Sequence, residues 1–215
     1  NSQGTQLSKY QIYAATWQVY PAFKINNSEI VKHIKNKYDS LITEGLEVEN
    51  YDSSDNFFTS DFSIFEYLFG YGKFLSGKFN LLFAGSTKPE QEDSISFNIV
   101  NLCLGLPFSK MDELPRHLAT HDLDKFEDVV NESIEFVFNS LKGFIGLKLN
   151  KRQGVFIAHP ELQIVSMVGK ALNCRYNESL ESKDGWEERR KVLKKNLPFH
   201  YLFDIVREYW RGSGD

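Results

Sequence analysis

The chain has 215 residues, of which 41% are hydrophobic and 25% are charged, and this is ordinary usage for a folded globular protein. Its formal net charge of −4 argues against a dedicated nucleic-acid coat protein, because such proteins usually carry a basic surface. No apolar run approaches the roughly 20 residues that a membrane span requires, so we expect no membrane partner.

The N-terminal part of the chain has the apolar spacing of three and four residues that is typical of helices. It predicts a helix from Ser8 to about Trp17, a second capped by Asn27 or Ser28 and ended by Gly45, an acidic loop over 46–58, and a third helix capped by Ser60 or Asp61 and running to about Leu75. Gly70 and Gly72 lower the propensity of this third helix by about 1 kcal/mol each. We interpret them as points of close helix contact, because no strand precedes them to form a phosphate-binding loop.

The C-terminal part continues the helical pattern. The predicted elements are a surface loop over 84–93, a helix from Ser94 to Leu104, a short helix from Ser109 with Asp112 in its capping box, a long helix that begins at Asp122 or Asp124, an extended segment over 154–157, a helix from His159-Pro160 to about Leu172, and two final helices, Trp186 to Lys195 and Phe199 to Trp210, separated by Pro198. Together these elements predict an all-α protein, an irregular multi-helical globular domain of about eight or nine helices. We expect residues 1–215 to form this single domain.

The two cysteines, Cys103 and Cys174, show no pairing or metal-binding pattern. Cys103 lies in an apolar run, which favours a buried free thiol, and the pair indicates a reducing, cytoplasmic location. Neither cysteine has a neighbouring histidine in sequence, and no Gly-x-Ser-x-Gly segment is present. We therefore predict no catalytic residue in this chain.

A weak metal-site pattern is formed by Glu113, His117 and His121, which are spaced four residues apart. On one continuous helix they would share a face, and a carboxylate with two neutral imidazoles suits zinc, as in a metal-dependent hydrolase. Pro115 and a helix boundary near His121 favour the alternative, in which these side chains are solvated or cap a helix. The acidic run that follows is interpreted as the first turns of a helix rather than a two-metal site.

Basic side chains are concentrated near residue 150 and in the predicted helix that starts at Trp186. The candidate nucleic-acid-binding residues are Arg152, Arg189, Arg190, Lys191, Lys194 and Lys195. On a helix, residues four apart are neighbours, so these cations could contact a phosphate backbone. The alternative is a solvated face paired with Glu187 and Glu188, and the residues alone favour it.

The opening of the chain has the pattern Asn-x-x-Gly-Thr-x-Leu-Ser, carried by Asn1, Gly4, Thr5, Leu7 and Ser8. This pattern resembles the end of the ParB-like domain in the GmrSD-type restriction and phage-defence family. Segments 65–73, 93–101 and 209–215 resemble the same family, so the resemblance covers the whole chain. The family's Asp-Gly-Gln-Gln-Arg signature and its His-rich nuclease motif are absent from the sequence.

The resemblance implies a non-catalytic helical region that follows a ParB-like domain, with residues 1–7 as the remnant of that domain. Such a region would couple an upstream nucleotide-hydrolysing domain to DNA binding or to a C-terminal nuclease domain. Those domains and DNA would be its partners. It implies no cofactor in this chain, since any nucleotide or divalent metal would belong to the full-length parent, an NTP-dependent endonuclease.

A second hypothesis, from a different class, is a self-contained helical module that binds a protein or a ligand through exposed aromatic side chains. The chain has 18 phenylalanines, more than one core readily accommodates. The candidates for exposure are Phe57, Phe58, Phe199, His200 and Tyr201.

Overall fold

The computed structural model describes residues 9–46, 54–83, 94–145, 147–150, 154–157 and 159–210. The predicted all-α class is confirmed, because the described residues form nine α-helices and a single short hairpin. The helices are α1 Lys9–Thr16, α2 Ser28–Thr43, α3 Ile64–Lys78, α4 Asn80–Phe83, α5 Ser94–Cys103, α6 Leu114–Leu118, α7 Leu123–Leu141, α8 Glu161–Arg175 and α9 Trp186–Arg207. Three 3₁₀ helices, Trp17–Val19, Asp55–Thr59 and Phe108–Glu113, and the antiparallel strands β1 Leu147–Asn150 and β2 Gly154–Ile157 complete the list.

The chain divides into two compact units, Asn1–Phe74 and Leu75–Asp215. The single domain over residues 1–215 stays a prediction. The family-like opening at residues 1–8, the loop predicted over 84–93 and the candidate Arg152 lie outside the described residues.

The first unit is built on α2 and α3, and the caps of these helices explain where they begin. Asn27 caps α2 as predicted, its side chain accepting a hydrogen bond from the Glu29 amide at 3.2 Å. The prediction that Ser60 or Asp61 caps α3 was wrong. Ser63 is the cap, because its hydroxyl accepts from the Glu66 amide while its own amide donates to the Glu66 carboxylate at 2.7 Å.

Gly70 allows α3 to approach α2 closely, which confirms the interpretation of this glycine as a contact point. A Cβ atom at Gly70 would lie 2.8 Å from the backbone oxygen of Ile30 and 2.8 Å from the Ile34 side chain. Ile30 and Ile34 are fully buried, as are Tyr67 and Tyr71 of α3. The absence of a side chain at position 70 therefore sets the distance between the two helices.

The second unit has α8 at its centre. This helix packs against α5, α7 and α9, so it is buried over most of its circumference. Asp122 caps the start of α7, as predicted, with its carboxylate accepting from the Lys125 amide at 3.0 Å. One stripe of α7 is buried, with apolar residues at spacings of three and four: Phe126, Val129, Val130, Ile134, Val137 and Leu141.

Only one of the two strands of the hairpin between α7 and α8 was predicted from the sequence. The extended segment Gly154–Ile157 is confirmed, but its partner Leu147–Asn150 was not predicted. The two strands pair antiparallel, with Leu147 opposite Ile157 and Asn150 opposite Gly154.

The break predicted at Pro198 was wrong, because α9 is one continuous helix from Trp186 to Arg207. A proline inside a helix costs about 3 kcal/mol through the lost hydrogen bond and the ring clash. Leu197 and Tyr201, on either side of it, are both buried on the same face. Full burial of large side chains contributes about 1.5 to 3 kcal/mol each, enough to offset the cost of the proline.

We expect Gly70→Ala to destabilise the protein by about 2 kcal/mol, because the new methyl group meets a backbone oxygen that cannot move without shifting α2. Gly77→Ala, in the same helix, is the matched control. No described atom lies within 4 Å of a Cβ at Gly77, so alanine's higher propensity should stabilise the protein by up to about 1 kcal/mol. Urea denaturation measures both changes, and a Gly70→Ala variant as stable as the parent would contradict the close contact.

Candidate functional site

The described surface carries one continuous apolar stripe, on the outward side of α9. Phe199, Leu202, Phe203 and Val206 are exposed at positions i, i+3, i+4 and i+7, which place them on one face of the helix. Phe199 is 65% exposed and Val206 is 78% exposed. We call these four residues the α9 outer face. Such spacing normally marks a buried face, so its exposure is the most informative feature of the described surface.

Exposed apolar side chains extend the outer face at both ends. Val192 lies two turns before Phe199 and is 60% exposed. Tyr209 and Trp210 follow the helix and are also exposed. The rings of Phe199 and Phe203 stack at 5.9 Å, and the Arg207 guanidinium lies over the Phe203 ring at 5.3 Å. These contacts hold the two phenylalanines in place on the surface.

The opposite side of α9 is fixed by a buried histidine. His159 Nε2 faces the Leu82 carbonyl at 2.9 Å, and since a carbonyl only accepts, Nε2 carries the proton and donates. Nδ1 of the neutral ring then accepts from the Tyr201 hydroxyl at 2.8 Å. Gln163 adds a hydrogen bond from its amide to the Tyr201 carbonyl at 3.0 Å. Tyr201 is therefore bonded through both its side chain and its backbone.

Burial lowers the pKa of His159, and the hydrogen bond with Leu82 only partly opposes that effect. In the neutral ring Nδ1 accepts from the Tyr201 hydroxyl, and a proton on Nδ1 would oblige that hydroxyl to turn and accept instead. The pH dependence of stability should report on the lowered pKa of His159.

A cavity of about 570 Å³ lies beside the outer face, between the end of α7 and the middle of α9. We call it the Phe199 pocket. Its lining is mainly apolar with two lysines, and consists of Asn139, Ser140, Gly143, Phe144, Lys194, Lys195, Pro198, Phe199 and Leu202. No carboxylate is present among these described lining residues.

The predicted basic cluster does not share one face of α9. Arg189 points toward the end of α8 and the connection that follows it, where Nε donates to the Cys174 carbonyl at 3.0 Å and Nη2 to the Lys183 carbonyl at 3.3 Å. Arg190 forms an exposed ion pair with Glu187 at 3.4 Å. Arg190 and Lys194 line a cavity of about 440 Å³ that also contains Glu132, Glu135 and Glu187.

Four of the predicted cations are exposed: Arg190, Lys191, Lys194 and Lys195. Of these, Lys191 and Lys195 form no ion pair with a described carboxylate and do not line the cavity that contains Glu132, Glu135 and Glu187. The nucleic-acid assignment stays a prediction, and these two lysines are the members of the predicted set best placed for it.

The single continuous helix that the metal-site candidate needs is not present, and the helix boundary expected near His121 is confirmed. Glu113 ends a 3₁₀ helix, His117 lies in α6, and His121 follows the end of α6 at Leu118. Glu113 contacts Lys110 at 2.6 Å, and this hydrogen bond lowers the pKa of its carboxyl group. Among the described residues, no group of three potential ligands converges on a metal position.

The predicted exposed aromatics are exposed only in part. Phe58, Phe199 and His200 are exposed, whereas Phe57 and Tyr201 are buried. Phe57 packs against the Phe62 ring at 5.2 Å, and Tyr201 is bonded to His159. Leu202, Phe203 and Val206 were not predicted to be exposed, because apolar residues at this spacing in the predicted helix Phe199 to Trp210 are equally typical of a buried face.

Cys103 is a free, half-buried thiol, and burial raises its pKa to about 12, so its thiolate is scarce at neutral pH.

No significant match to this chain was found among protein-family models, curated proteins or solved structures. Among the described helices, none combines the length and the apolar composition that crossing a bilayer requires. The cytoplasmic location stays a prediction.

We expect the stability of the protein to fall as the pH drops below about 6.5, the ordinary pKa of histidine. Folding lowers the pKa of His159, so the unfolded chain binds a proton in a range where the folded chain does not. His33 and His121, whose pKa values are also lowered by burial, act in the same direction. The contribution of His159 alone is therefore measured by comparing the acid-induced loss of stability of the parent with that of a variant that lacks this histidine.

The comparison is between the parent and His159→Gln, with urea denaturation at about pH 8 and about pH 5. The variant should be less stable at the higher pH, because it loses the bonded imidazole, and should lose less stability on acidification. Equal losses in both proteins would show that His159 is not held neutral.

Proposed function

We propose that this chain is a binding module without catalytic chemistry of its own, and that it binds a protein partner through the α9 outer face. One observation carries the proposal: an apolar stripe with helical spacing is exposed on a helix whose other side is fixed by the buried Tyr201. Large exposed apolar patches are uncommon on monomeric proteins and usually mark an interaction site.

The physical argument is the free energy of the exposed side chains. Burying apolar surface contributes about 25 cal/mol per Å², so a partner that covers these residues gains several kcal/mol before the costs of association. Little of the surface would have to reorganise, because the Phe199 and Phe203 rings are already stacked. Preorganised aromatic side chains are frequent among the residues that dominate binding.

The resemblance to the GmrSD-type family supplies a setting for this module. In that setting the chain is the non-catalytic helical region that couples a ParB-like nucleotide-hydrolysing domain to DNA binding or to a nuclease domain. Nucleotide and divalent metal would be handled by those domains. A binding surface without an adjacent reactive group is what such a coupling region requires.

We expect the double variant Phe199→Ser with Val206→Ser to lose most of the protein's binding of an environment-sensitive hydrophobic dye. Its melting temperature should stay close to that of the parent, because both side chains are exposed. The control is Ile42→Ser, which removes an exposed apolar side chain of α2. Dye binding that is unchanged in the double variant, or robust nucleotide or DNA turnover by the isolated chain, would contradict the proposal.

A second candidate function is nonspecific contact with DNA phosphates, favoured by the exposed and unpaired state of Lys191 and Lys195 among the described side chains. Such a contact positions the backbone and reads no bases. Its affinity should fall in the range of about 10⁻⁴ to 10⁻⁶ M at physiological salt, with a steep salt dependence.

Charge reversal tests this candidate. Lys191→Glu with Lys195→Glu should weaken binding to all DNA sequences alike and reduce the salt slope. Arg190→Glu with Lys194→Glu should have a smaller effect, because that pair shares its cavity with three glutamates. Lys32→Glu, on the exposed side of α2, controls for net charge. Fluorescence anisotropy at several salt concentrations measures all four proteins, and equal binding by them would exclude the α9 lysines.

A further inference from the structure

We propose that the partner of the α9 outer face is an acidic amphipathic helix, with one large apolar side chain in the Phe199 pocket and its carboxylates beside Lys194 and Lys195. This inference rests on the proposed binding function and names the chemistry of the partner.

The spacing of the outer face favours a helical partner. Phe199, Leu202, Phe203 and Val206 follow the i, i+3, i+4, i+7 pattern with which one helix packs lengthwise against another. The exposed length of α9 from Val192 to Val206 is about four turns, which is enough for a stable seam. An extended strand would find no open sheet edge on α9, whereas a second helix can lay its ridges between these residues.

The Phe199 pocket supplies a position for an anchor side chain. It opens beside the stripe and is formed by Phe144, Pro198, Phe199 and Leu202. Gly143, at its edge, has no described atom within 4 Å of where a Cβ would lie, so space remains for an incoming side chain. A cavity of about 570 Å³ accommodates a leucine, phenylalanine or tryptophan side chain. Aromatic anchors in such pockets commonly dominate the affinity of an interface.

The charges around the pocket select an acidic partner. Lys194 and Lys195 both line it, and its described lining contains no carboxylate. Lys194 also borders the cavity that contains Glu132, Glu135 and Glu187, so Lys195 carries most of the uncompensated positive charge at the pocket. Lys191 lies one turn before Lys195 on the exposed side of the same helix. Carboxylates spaced three or four residues apart on a partner helix would meet these ammonium groups in sequence. Close approach of a basic helix would instead place like charges together.

A second copy of this chain fits the same surface less well. A parallel, in-register pair would set Lys191 and Lys195 of one copy against the same lysines of the other. An antiparallel pair centred between Phe199 and Leu202 would set Lys195 opposite Val206. A lipid surface is also disfavoured, because a membrane would contact the whole length of α9, including the exposed Glu187 and Glu188, whereas a partner helix seated between Val192 and Val206 need not reach them.

The test uses two designed probe peptides of about four helical turns, each with a leucine and tryptophan stripe. One carries glutamate beside the stripe and the other carries lysine at the same positions. Fluorescence anisotropy with the whole chain should show binding of the acidic probe at least about tenfold tighter than binding of the basic probe. Lys194→Glu with Lys195→Glu should reverse this preference, whereas Lys32→Glu should leave it unchanged.

Apolar variants separate this inference from the proposed function. Phe199→Ser with Leu202→Ser should weaken the acidic probe by about tenfold or more, and Ile42→Ser should have no effect. If dye binding depends on the outer face but the probes bind equally, or neither binds, the acidic-helix inference fails alone. If dye binding is also independent of that face, the proposed function fails as well.

Two further results would overturn the inference. Sedimentation that shows a dimer abolished by Phe199→Ser with Leu202→Ser would identify a second copy as the occupant. Co-sedimentation with phosphatidylglycerol vesicles, lost in the same variant, would identify a lipid surface.

Discussion

The position of α9 depends on the hydrogen bonds that surround Tyr201. His159, at the start of the segment that leads into α8, bonds to Tyr201 with one ring nitrogen and to the Leu82 carbonyl with the other. Three separate parts of the second unit thus meet at one imidazole. Buried polar groups are costly when they are unsatisfied, so the bonds at both ring nitrogens of His159 favour one arrangement of these elements. The rotation of α9 about its own axis follows from it, and with that rotation the outward direction of Phe199 and Val206.

The two sides of α9 consequently have different physical roles. The inner side carries Leu197 and Tyr201, whose burial maintains the helix across Pro198. The outer side contributes little to the fold, since its large apolar residues remain in contact with water. Exposed apolar side chains do not stabilise the fold, and they contribute free energy only when another molecule covers them.

Much of the fold followed from local patterns in the sequence. Asn27 and Asp122 are helix caps that their residue types predict, and the apolar spacing of α7 predicted its buried stripe. Ser63 was missed as the cap of α3 because Ser60 and Asp61 offer the same chemistry a few residues earlier, and only the reciprocal bond with Glu66 distinguishes them. The hairpin strand Leu147–Asn150 alternates apolar and polar residues over only four positions, so its pairing with a later segment defines it more than its local pattern does.

The candidate site was less predictable, and the reason lies at Pro198. A proline is a reliable local signal for the end of a helix, but the burial of Tyr201 is a tertiary effect that no local pattern contains. The predicted break separated Lys194 and Lys195 from Phe199 and Leu202, although they line one pocket. The basic residues were grouped by their proximity in sequence, whereas the helix distributes Arg189, Arg190 and Lys191 over three directions. Exposure decides whether an apolar stripe is core or interface, and sequence spacing alone does not show exposure.

The continuity of α9 through Pro198 has a consequence for its internal motions. Proline has no N–H, so Pro198 cannot donate the usual main-chain hydrogen bond to the carbonyl of Lys194. The helix therefore lacks one main-chain hydrogen bond near its midpoint. Amide-exchange protection should therefore be discontinuous along α9, with the turn before the proline opening more readily than the turn held by Tyr201. Because this turn borders the Phe199 pocket, an occupant of the pocket would lie against the most compliant part of the helix. Slower amide exchange in this turn when the pocket is occupied would measure how much the occupant stabilises the helix where the main-chain hydrogen bond is missing.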